Sequence, residues 1–180
     1  MRFAYADPPY IGQSKKHYGR EEVDHAALLV ELRRFDGWAL SCSSATLWEI
    51  ARLRDGQGDF LVSVDVRVGA WVKPFCSFKP NVNPAYAWEP VLFWGGRKRG
   101  RELPTVRDWV SATPPMFTRS QRSKVKGEKP DDFSFWLFEV LGMGPGDEFV
   151  DLFPGSGAVA LAWDRWRAQF PSFLSHPGAV

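Results

Sequence analysis

The segment Glu148–Gly157, EFVDLFPGSG, decides the fold class of this 180-residue chain. Its first half, Glu148–Leu152, predicts a buried strand, Pro154–Gly157 predicts a glycine loop, and Ala158–Arg167 predicts a helix. A strand, a glycine loop and a helix start together form a site where backbone N–H groups can approach a nucleotide-like ligand. The loop also fits the loose pattern G-x-G-x-x-[GA], which is weak by itself because an ordinary strand-to-helix turn produces it as well.

This loop does not predict a dinucleotide-binding site. The dinucleotide fingerprint requires an acidic residue about 20 residues beyond the glycines, at the end of the next strand. At that distance the chain has Ser175-His176-Pro177, and it then ends. We therefore do not expect a nicotinamide- or flavin-dependent enzyme.

A second motif, Asp7-Pro8-Pro9-Tyr10, follows the short apolar run Phe3–Ala6. The run predicts a buried strand, which the two prolines end because proline has no N–H to donate to a sheet. A proline-rich turn has the same composition. The chemistry nevertheless suits an amine substrate, since a carboxylate and a carbonyl freed by the prolines can accept both hydrogens of one NH2 group. Tyr10 then offers a flat face to a base.

Strands alternate with helices along the rest of the chain, which predicts an α/β sheet that is largely parallel. The further predicted strands are Trp38–Ser41, Phe60–Val72 and Val91–Trp94. The further predicted helices are Asp24–Phe35, Ala45–Arg54 and Phe133–Leu141, the last with Asp131 or Asp132 as its N-cap. Nine tryptophans and fourteen phenylalanines provide core residues and flat side chains that suit stacking on a ligand or base.

Positive charge is concentrated between Arg97 and Lys129. This segment holds ten lysines and arginines against three acidic residues, a net charge of +7, whereas the whole chain carries only +2 and the remainder is therefore net negative. Such an asymmetry is typical of a polyanion-binding face, and a solvated loop is the simpler alternative. Within the segment, Arg119, Arg122 and Lys124 are candidate contacts to nucleic acid.

The remaining features argue against several other classes of protein. Cys42 and Cys76 lie far apart in apolar surroundings, so we expect buried free thiols, a reducing cytoplasm and no metal centre. The three histidines suggest neither a metal site nor a catalytic triad. No signal peptide is visible at the N-terminus, and no apolar run reaches the length of a membrane span.

Taken together, the two motifs resemble those of amino-directed DNA methyltransferases of phage or bacterial type. ADPPY, residues 6–10, resembles their catalytic motif, and DLFPGSG, residues 151–157, resembles their S-adenosylmethionine loop. In one circularly permuted subgroup the catalytic motif comes first and the cofactor motif lies near the C-terminus, as it does here. Lys129-Pro130 resembles a Lys-Pro pair of that subgroup, and residues 70–74 and 88–93 lie where the family's last two strands are expected.

The resemblance implies a single domain over residues 1–180 with a Rossmann-like S-adenosylmethionine-dependent methyltransferase fold, circularly permuted and with a shortened sheet. Shortening is expected because the family usually continues past the cofactor helix into a strand whose acidic end binds the ribose, and this chain ends before it. A homodimer that covers the open edge is one consequence. By resemblance, the residues that bind S-adenosylmethionine are Ala6, Lys129, Pro130, Asp151, Phe153, Pro154, Gly155, Ser156 and Gly157.

The reaction that the resemblance implies is methyl transfer to the amino group of adenine in DNA, without a metal or a covalent enzyme intermediate. The Asp7 carboxylate and the Pro8 carbonyl would accept the two amino hydrogens, with Pro9 completing the rigid catalytic motif. Asp at this position is typical of the adenine enzymes, and Ser of the cytosine enzymes. The target base must be flipped out of the duplex, and Tyr10 would stack on it.

Duplex DNA is therefore the expected partner. Lys15 and Lys16, followed by His17, lie in a polar loop and are candidate phosphate contacts, although simple exposure explains them equally well. Two alternatives remain open. One is an RNA adenine methyltransferase, which shares the catalytic motif, and the other is a catalytically decayed nucleic-acid-binding module, which the short C-terminus favours.

Overall fold

The computed structural model describes residues 1–12, 22–75, 80–115 and 128–170, and six strands and four helices form in this part of the chain. The strands are β1 (Arg2–Ala6), β2 (Gly37–Ser41), β3 (Arg67–Val72), β4 (Trp88–Gly95), β5 (Trp109–Ser111) and β6 (Glu148–Asp151). The helices are α1 (His25–Leu32), α2 (Leu47–Ala51), α3 (Asp131–Val140) and α4 (Ala158–Ala168). None of these helices is long and apolar enough to cross a membrane.

All six strands belong to one sheet with the order β5-β3-β4-β2-β1-β6. β1 pairs in parallel with β2 and β6, and β3 pairs in parallel with β5, whereas β4 runs antiparallel to both of its neighbours. The prediction of a largely parallel sheet is thus confirmed around β1 and wrong at β4. A parallel neighbour needs a crossover, usually a helix, and the described residues between β3 and β4 form no helix, so the chain returns antiparallel.

Helices cover both faces of the sheet, and the side chains of each strand alternate between these faces. Ala4 and Trp38 pack with α1 on one face, and Phe3 and Tyr5 pack with α3 and α4 on the other. Because β1 and β2 are covered on both sides, their residues are apolar at nearly every position. The α3–α4 face carries most of the aromatic core, formed by Phe133, Trp136, Phe138, Trp163 and Trp166.

Local sequence explains where α1 begins, whereas the N-cap of α3 differs from the predicted one. The Asp24 carboxylate caps α1 by accepting hydrogen bonds from the N–H groups of Ala26 (2.9 Å) and Ala27 (3.0 Å). The prediction that Asp131 or Asp132 caps α3 is wrong, because the N-cap is Pro130 and both acids lie in the first turn. Carboxylates in a first turn are favoured by the positive end of the helix dipole.

The observed strand boundaries differ most from the predicted ones around Phe60–Val72. Only Arg67–Val72 runs alongside β4, whereas the residues before it form turns and leave Val64 fully exposed. β4 begins earlier than predicted, since Pro90 is a strand residue whose carbonyl accepts a hydrogen bond from Cys42 (3.1 Å). The short strand β5 was not predicted at all. The helix predicted over Ala45–Arg54 is only the five residues of α2.

The carboxyl ends of β1 and β6 form a topological switch point. After β1 the chain passes through α1 on one face of the sheet, and after β6 it enters α4 on the opposite face. Ligands of α/β sheets bind in the crevice at such a point. Asp7–Tyr10 and Pro154–Gly157 follow these two strand ends directly.

Candidate active site

The two sequence motifs meet at the carboxyl edge of β1 and β6. Tyr5 in β1 lies opposite Asp151 in β6, and the Leu152 N–H donates to the Tyr5 carbonyl over 2.9 Å. Asp7 therefore leaves β1 beside the loop that leaves β6. The parallel pairing is the cause, because the carboxyl ends of parallel strands lie at the same edge of a sheet.

Asp7 forms an ion pair with Lys129, a residue that the sequence assigned to the cofactor. The Nζ atom of Lys129 lies 3.0 Å from Oδ2 of Asp7, and the two side chains are 5% and 25% exposed, respectively. Pro8 is buried, whereas Pro9 and Tyr10 are half-buried. Asp7 thus keeps partial access to solvent while Lys129 holds one of its two oxygens, and the contact of Lys129 with a cofactor stays a prediction.

The Lys129 ammonium is surrounded by acceptors and aromatic rings. It also lies 3.2 Å from Oε2 of Glu89, 5.1 Å from the ring centre of Trp71 and 5.7 Å from that of Phe133. The indole N–H of Trp71 donates to the Ala112 carbonyl over 2.8 Å, which fixes this ring in place. Two carboxylates and two ring faces therefore compensate the loss of water around the buried ammonium group.

Glu89 connects this ammonium group to the catalytic motif by a second route. Its Oε1 pairs with the Lys73 ammonium, and its Oε2 accepts hydrogen bonds from Lys129 and from the Tyr10 hydroxyl, both over 3.2 Å. Sequence reasoning missed Glu89 and Lys73. The signal was a single acidic residue inside the apolar strand WEPVLFW, since a lone charge in a buried strand is normally paired.

Burial and charge act in opposite directions in this cluster. Burial lowers the pKa of Lys129, but the acidic groups around it, Asp7 above all, outweigh that effect and hold the pKa well above its usual value. Burial raises the pKa of Glu89, but Lys129 and Lys73 bring it down to about 2. Burial raises the pKa of Asp7 against the opposing pull of Lys129, and it raises that of the Tyr10 hydroxyl. The cluster therefore favours a charged Glu89, a charged Lys129 and a neutral tyrosine.

The glycine loop has the conformation that only glycine adopts easily. Gly155 and Gly157 have φ angles of +50° and +76°, and Gly157 is the N-cap of α4. A Cβ at Gly157 would meet nothing within 4 Å, and one at Gly155 would meet only the Phe153 carbonyl at 3.8 Å. Pro154, Gly155 and Ser156 are exposed, so the loop borders open space.

Asp151 lies at the end of β6, beside Asp7. Its Oδ1 accepts a hydrogen bond from the Phe153 N–H over 3.2 Å. Burial, together with the negative charge of Asp7, raises the pKa of Asp151 to about 6 in spite of that hydrogen bond. Within the described ranges, no group of three His, Cys, Asp or Glu side chains is arranged to hold a metal ion.

Several predicted site residues lie outside the described residues. These are Lys15, Lys16, Arg119, Arg122 and Lys124, together with His17. Cys76 lies outside as well, whereas Cys42 is a buried free thiol, as predicted. Burial raises the pKa of the Cys42 thiol to about 12.

The described part of the basic segment divides between the two ends of the sheet. Arg97 follows the end of β4, which lies beside the start of β2, and it forms an ion pair with Asp147 (2.8 Å). Arg97 and other arginines line a cavity of about 590 Å³ at this end, the end opposite to Asp7. At the other end, Ala112 bonds to the last residue of β3, and Lys129 reaches Asp7. Arg119, Arg122 and Lys124 therefore belong to a stretch whose two flanks lie at the Asp7 edge.

Comparisons with known proteins establish the fold. The chain is similar to the crystal structure of the M1.HpyAVI–SAM complex, with a TM-score of 0.57 and 17% identity over 92% of this chain and 78% of that one. It is also similar to the crystal structure of M1.HpyAVI, with a TM-score of 0.53 and 15% identity over 92% and 76% of the two chains. No protein-family model and no curated protein matches the sequence. The similarity confirms the predicted fold class, an α/β Rossmann-like methyltransferase fold.

Proposed function

We propose that this chain is an S-adenosylmethionine-dependent DNA methyltransferase that modifies the exocyclic amino group of adenine. One observation carries the proposal. The Asp-Pro-Pro-Tyr motif follows β1, the glycine loop and α4 follow β6, and β1 and β6 are adjacent parallel strands. The first motif offers acceptors for amino hydrogens, and the second offers space and backbone donors for a nucleotide-like cofactor. The similarity of fold to M1.HpyAVI, whose structure was solved with SAM, supports the same assignment.

The glycine loop fits S-adenosylmethionine. The loop borders open space, and α4 begins there. Its N-cap, Gly157, has no side chain that could accept a hydrogen bond from the first N–H groups of the helix. Asp151 adds an acceptor at the end of the neighbouring strand. When bound, the cofactor supplies an electrophilic methyl group on a positively charged sulfur. Gly155, Ser156 and Gly157 would let the backbone approach it closely, while Ala6, Phe153, Pro154 and Pro130 would line the same crevice.

Asp7 and the Pro8 carbonyl would prepare the amine for attack. The amino nitrogen of adenine is a poor nucleophile because its lone pair is delocalised into the ring. Two acceptors on its hydrogens favour a pyramidal nitrogen whose lone pair is directed at the methyl carbon. The bound cofactor would supply the methyl group, with the C–S electron pair left on sulfur as the C–N bond forms, and Asp7 would take the surplus amino proton and pass it to solvent. Positioning and fixed charge provide the acceleration.

Tyr10 would receive the flipped base. Extrusion of a base from a duplex costs roughly a few kcal/mol, and stacking on an aromatic ring returns roughly 1–3 kcal/mol. The ring is half-buried and its hydroxyl is held by Glu89, so its position is set before a substrate arrives. Asp rather than Ser at position 7 is what favours adenine over cytosine.

The proposal is tested by incubating the full chain with labelled S-adenosylmethionine and either genomic DNA or RNA, followed by digestion to nucleosides and mass spectrometry. N6-methyladenine from DNA is the expected product. Label in RNA only would replace DNA by RNA as the substrate. Binding of DNA without any transfer would indicate a decayed nucleic-acid-binding module.

A further inference from the structure

We propose that Glu89 is a positioning residue for methyl transfer, which holds Tyr10 directly and Asp7 through Lys129. This inference rests on the proposed function, because it gives Glu89 a task only if Asp7 and Tyr10 hold the substrate base. Glu89 is not part of either motif and comes from β4, two strands away from β1. It is therefore a second point, besides the end of β1, at which the sheet contacts the Asp-Pro-Pro-Tyr motif.

The Asp7 carboxylate is held through one of its two oxygens. Lys129 contacts Oδ2, and the structure shows no partner for Oδ1 among the described residues. An amine substrate needs an acceptor that faces it, and a carboxylate held by one oxygen presents the other in a fixed direction. Lys129 thus fixes the rotation of Asp7 while leaving Oδ1 for an amino hydrogen.

Glu89 holds the Lys129 ammonium group from a second side. A lysine side chain has four rotatable bonds, and a single carboxylate would not fix its end. Glu89 pairs with Lys129 through Oε2 and with Lys73 through Oε1, and its side chain is only 19% exposed. The two lysines balance the charges of Asp7 and Glu89, so a neutral cluster anchors the ammonium group.

The same oxygen of Glu89 also contacts Tyr10, the residue proposed to stack on the base. Oε2 accepts from the Tyr10 hydroxyl as well as from Lys129, both over 3.2 Å. One oxygen atom of Glu89 therefore helps to position both the Tyr10 ring, which would stack on the base, and, through Lys129, the Asp7 carboxylate, which would bind the amino group. A displacement of that atom would misplace both groups at once, and a misplacement of about 1 Å can cost about 100-fold in rate.

The first experiment is independent of catalysis. Titration of the Asp7 carboxyl by carbon-13 NMR in the free protein compares wild type with Glu89→Gln, and the Asp7 signal is assigned with Asp7→Asn. Loss of the Glu89 charge alone would lower the pKa of Asp7, but a Lys129 that Glu89 no longer holds would move away from Asp7, and Lys129 lowers that pKa more than Glu89 raises it. If Glu89 positions Lys129, the pKa of Asp7 therefore rises in Glu89→Gln. The matched control is Glu148→Gln, which removes an exposed ion pair to Arg2 (3.0 Å). An unchanged or lowered pKa of Asp7 in Glu89→Gln would overturn the inference.

The second experiment measures methyl transfer in the same variants. Glu89→Gln is expected to lower kcat by about 100-fold with an unchanged KM for S-adenosylmethionine, Glu89→Asp to lose less, and Glu148→Gln to match wild type. If Glu89 acts through Tyr10, Glu89→Gln combined with Tyr10→Phe will lose less than the product of the two single losses. A double variant whose loss of kcat equals the product of the two single losses would contradict the positioning role, and so would a wild-type kcat in Glu89→Gln. A wild type that transfers no methyl group but shows the expected titration would refute the proposed function alone.

Discussion

At the scale of single residues, the site contains two neighbouring carboxylates in different surroundings. Asp7 has a buried ammonium group at 3.0 Å, whereas Asp151 has one backbone N–H and, among the contacts that the structure shows, no cation. The pKa of Asp151 is accordingly raised to about 6, mainly by burial. The two groups therefore suit different tasks in the proposed reaction, with Asp7 held by a cation and Asp151 placed beside the glycine loop.

The Asp7→Asn variant is expected to lose methyl transfer by about 10²–10³-fold while it keeps its fold and cofactor binding. Lys129 donates, so it will select the amide oxygen, and the amide NH2 will then face the substrate amine with donors instead of an acceptor. Asp7→Ala is expected to lose at least as much activity and some stability, since a buried ammonium group loses a partner. Nucleoside analysis of treated DNA measures the loss. Full activity in either variant would contradict the mechanism, and N4-methylcytosine from wild type would contradict the choice of adenine.

The Asp151→Asn variant is expected to change how stability depends on pH. The folded pKa of about 6 lies above the ordinary value of 3.8, so the folded chain binds more protons than the unfolded chain between these values. The contribution of Asp151 to the free energy of unfolding is thus present in full below about pH 4 and is lost as the pH rises through 6.

The test compares melting temperatures of Asp151→Asn and wild type at pH 5 and pH 7.5. The melting temperature of the variant relative to wild type should be higher at pH 7.5 than at pH 5, because the variant lacks a charge that burial disfavours. Its amide oxygen can still accept a hydrogen bond from the Phe153 N–H. Asp65→Asn, at an exposed position, serves as the control. Equal differences at the two pH values would show that Asp151 is not perturbed.

At the scale of elements, the unit that matters is β6, its glycine loop and α4. β6 supplies a fixed edge beside β1, and the two left-handed glycines turn the chain into a helix that packs on the aromatic core through Val159, Ala162 and Trp163. The loop is thus held firmly at both ends while its tip stays exposed. An open loop on a rigid support is what a ligand site requires.

The Gly155→Val variant is expected to abolish the rise in melting temperature that S-adenosylmethionine produces in wild type. The new side chain would extend into the space that the cofactor needs, and a β-branched residue is strained at a φ of +50°. Gly58→Val controls for that strain, because Gly58 also has a positive φ (+92°) and open space around it but lies in a remote turn. A normal ligand-induced rise in Gly155→Val would remove the loop from the site.

At the scale of the whole molecule, the described residues of the basic segment lie at two ends of the sheet. β4 has eight residues, so its two ends are separated by roughly 23 Å. Arg97 and the arginine-lined cavity lie at one end, while the flanks of the stretch with Arg119, Arg122 and Lys124 lie at the other, with Asp7. Nucleic acid that presents a base to Asp7 would approach the end of the sheet where these flanks lie.

Neutralising Arg119, Arg122 and Lys124 together is therefore expected to flatten the salt dependence of DNA binding. Each lost phosphate contact should reduce the slope of log affinity against log salt by about 0.9. The matched variant neutralises Arg67, Arg99 and Arg101, which line the cavity at the opposite end, and it should keep the wild-type slope. If only the variant of Arg67, Arg99 and Arg101 had a reduced slope, the DNA contact would lie at the arginine-lined cavity instead.

The sequence by itself determined the local features that depend on neighbouring residues. The strand, loop and helix around Gly155 and the strand before Asp7 could be predicted, because apolar runs, prolines and glycines restrict the backbone wherever they occur. The α/β class followed from the alternation of strands and helices. The capping of α1 by Asp24 is local in the same sense.

Only the tertiary structure decided which distant residues share the site. Glu89 and Lys73 come from β4 and the end of β3, and nothing in their local sequence states that they would reach Tyr10 and Lys129. Their meeting depends on strand order and on the antiparallel pairing of β4, which brings its first residues to the edge where β1 ends. Strand order is set by how apolar faces pack across the whole sheet, and that is a property of the assembled fold rather than of any segment.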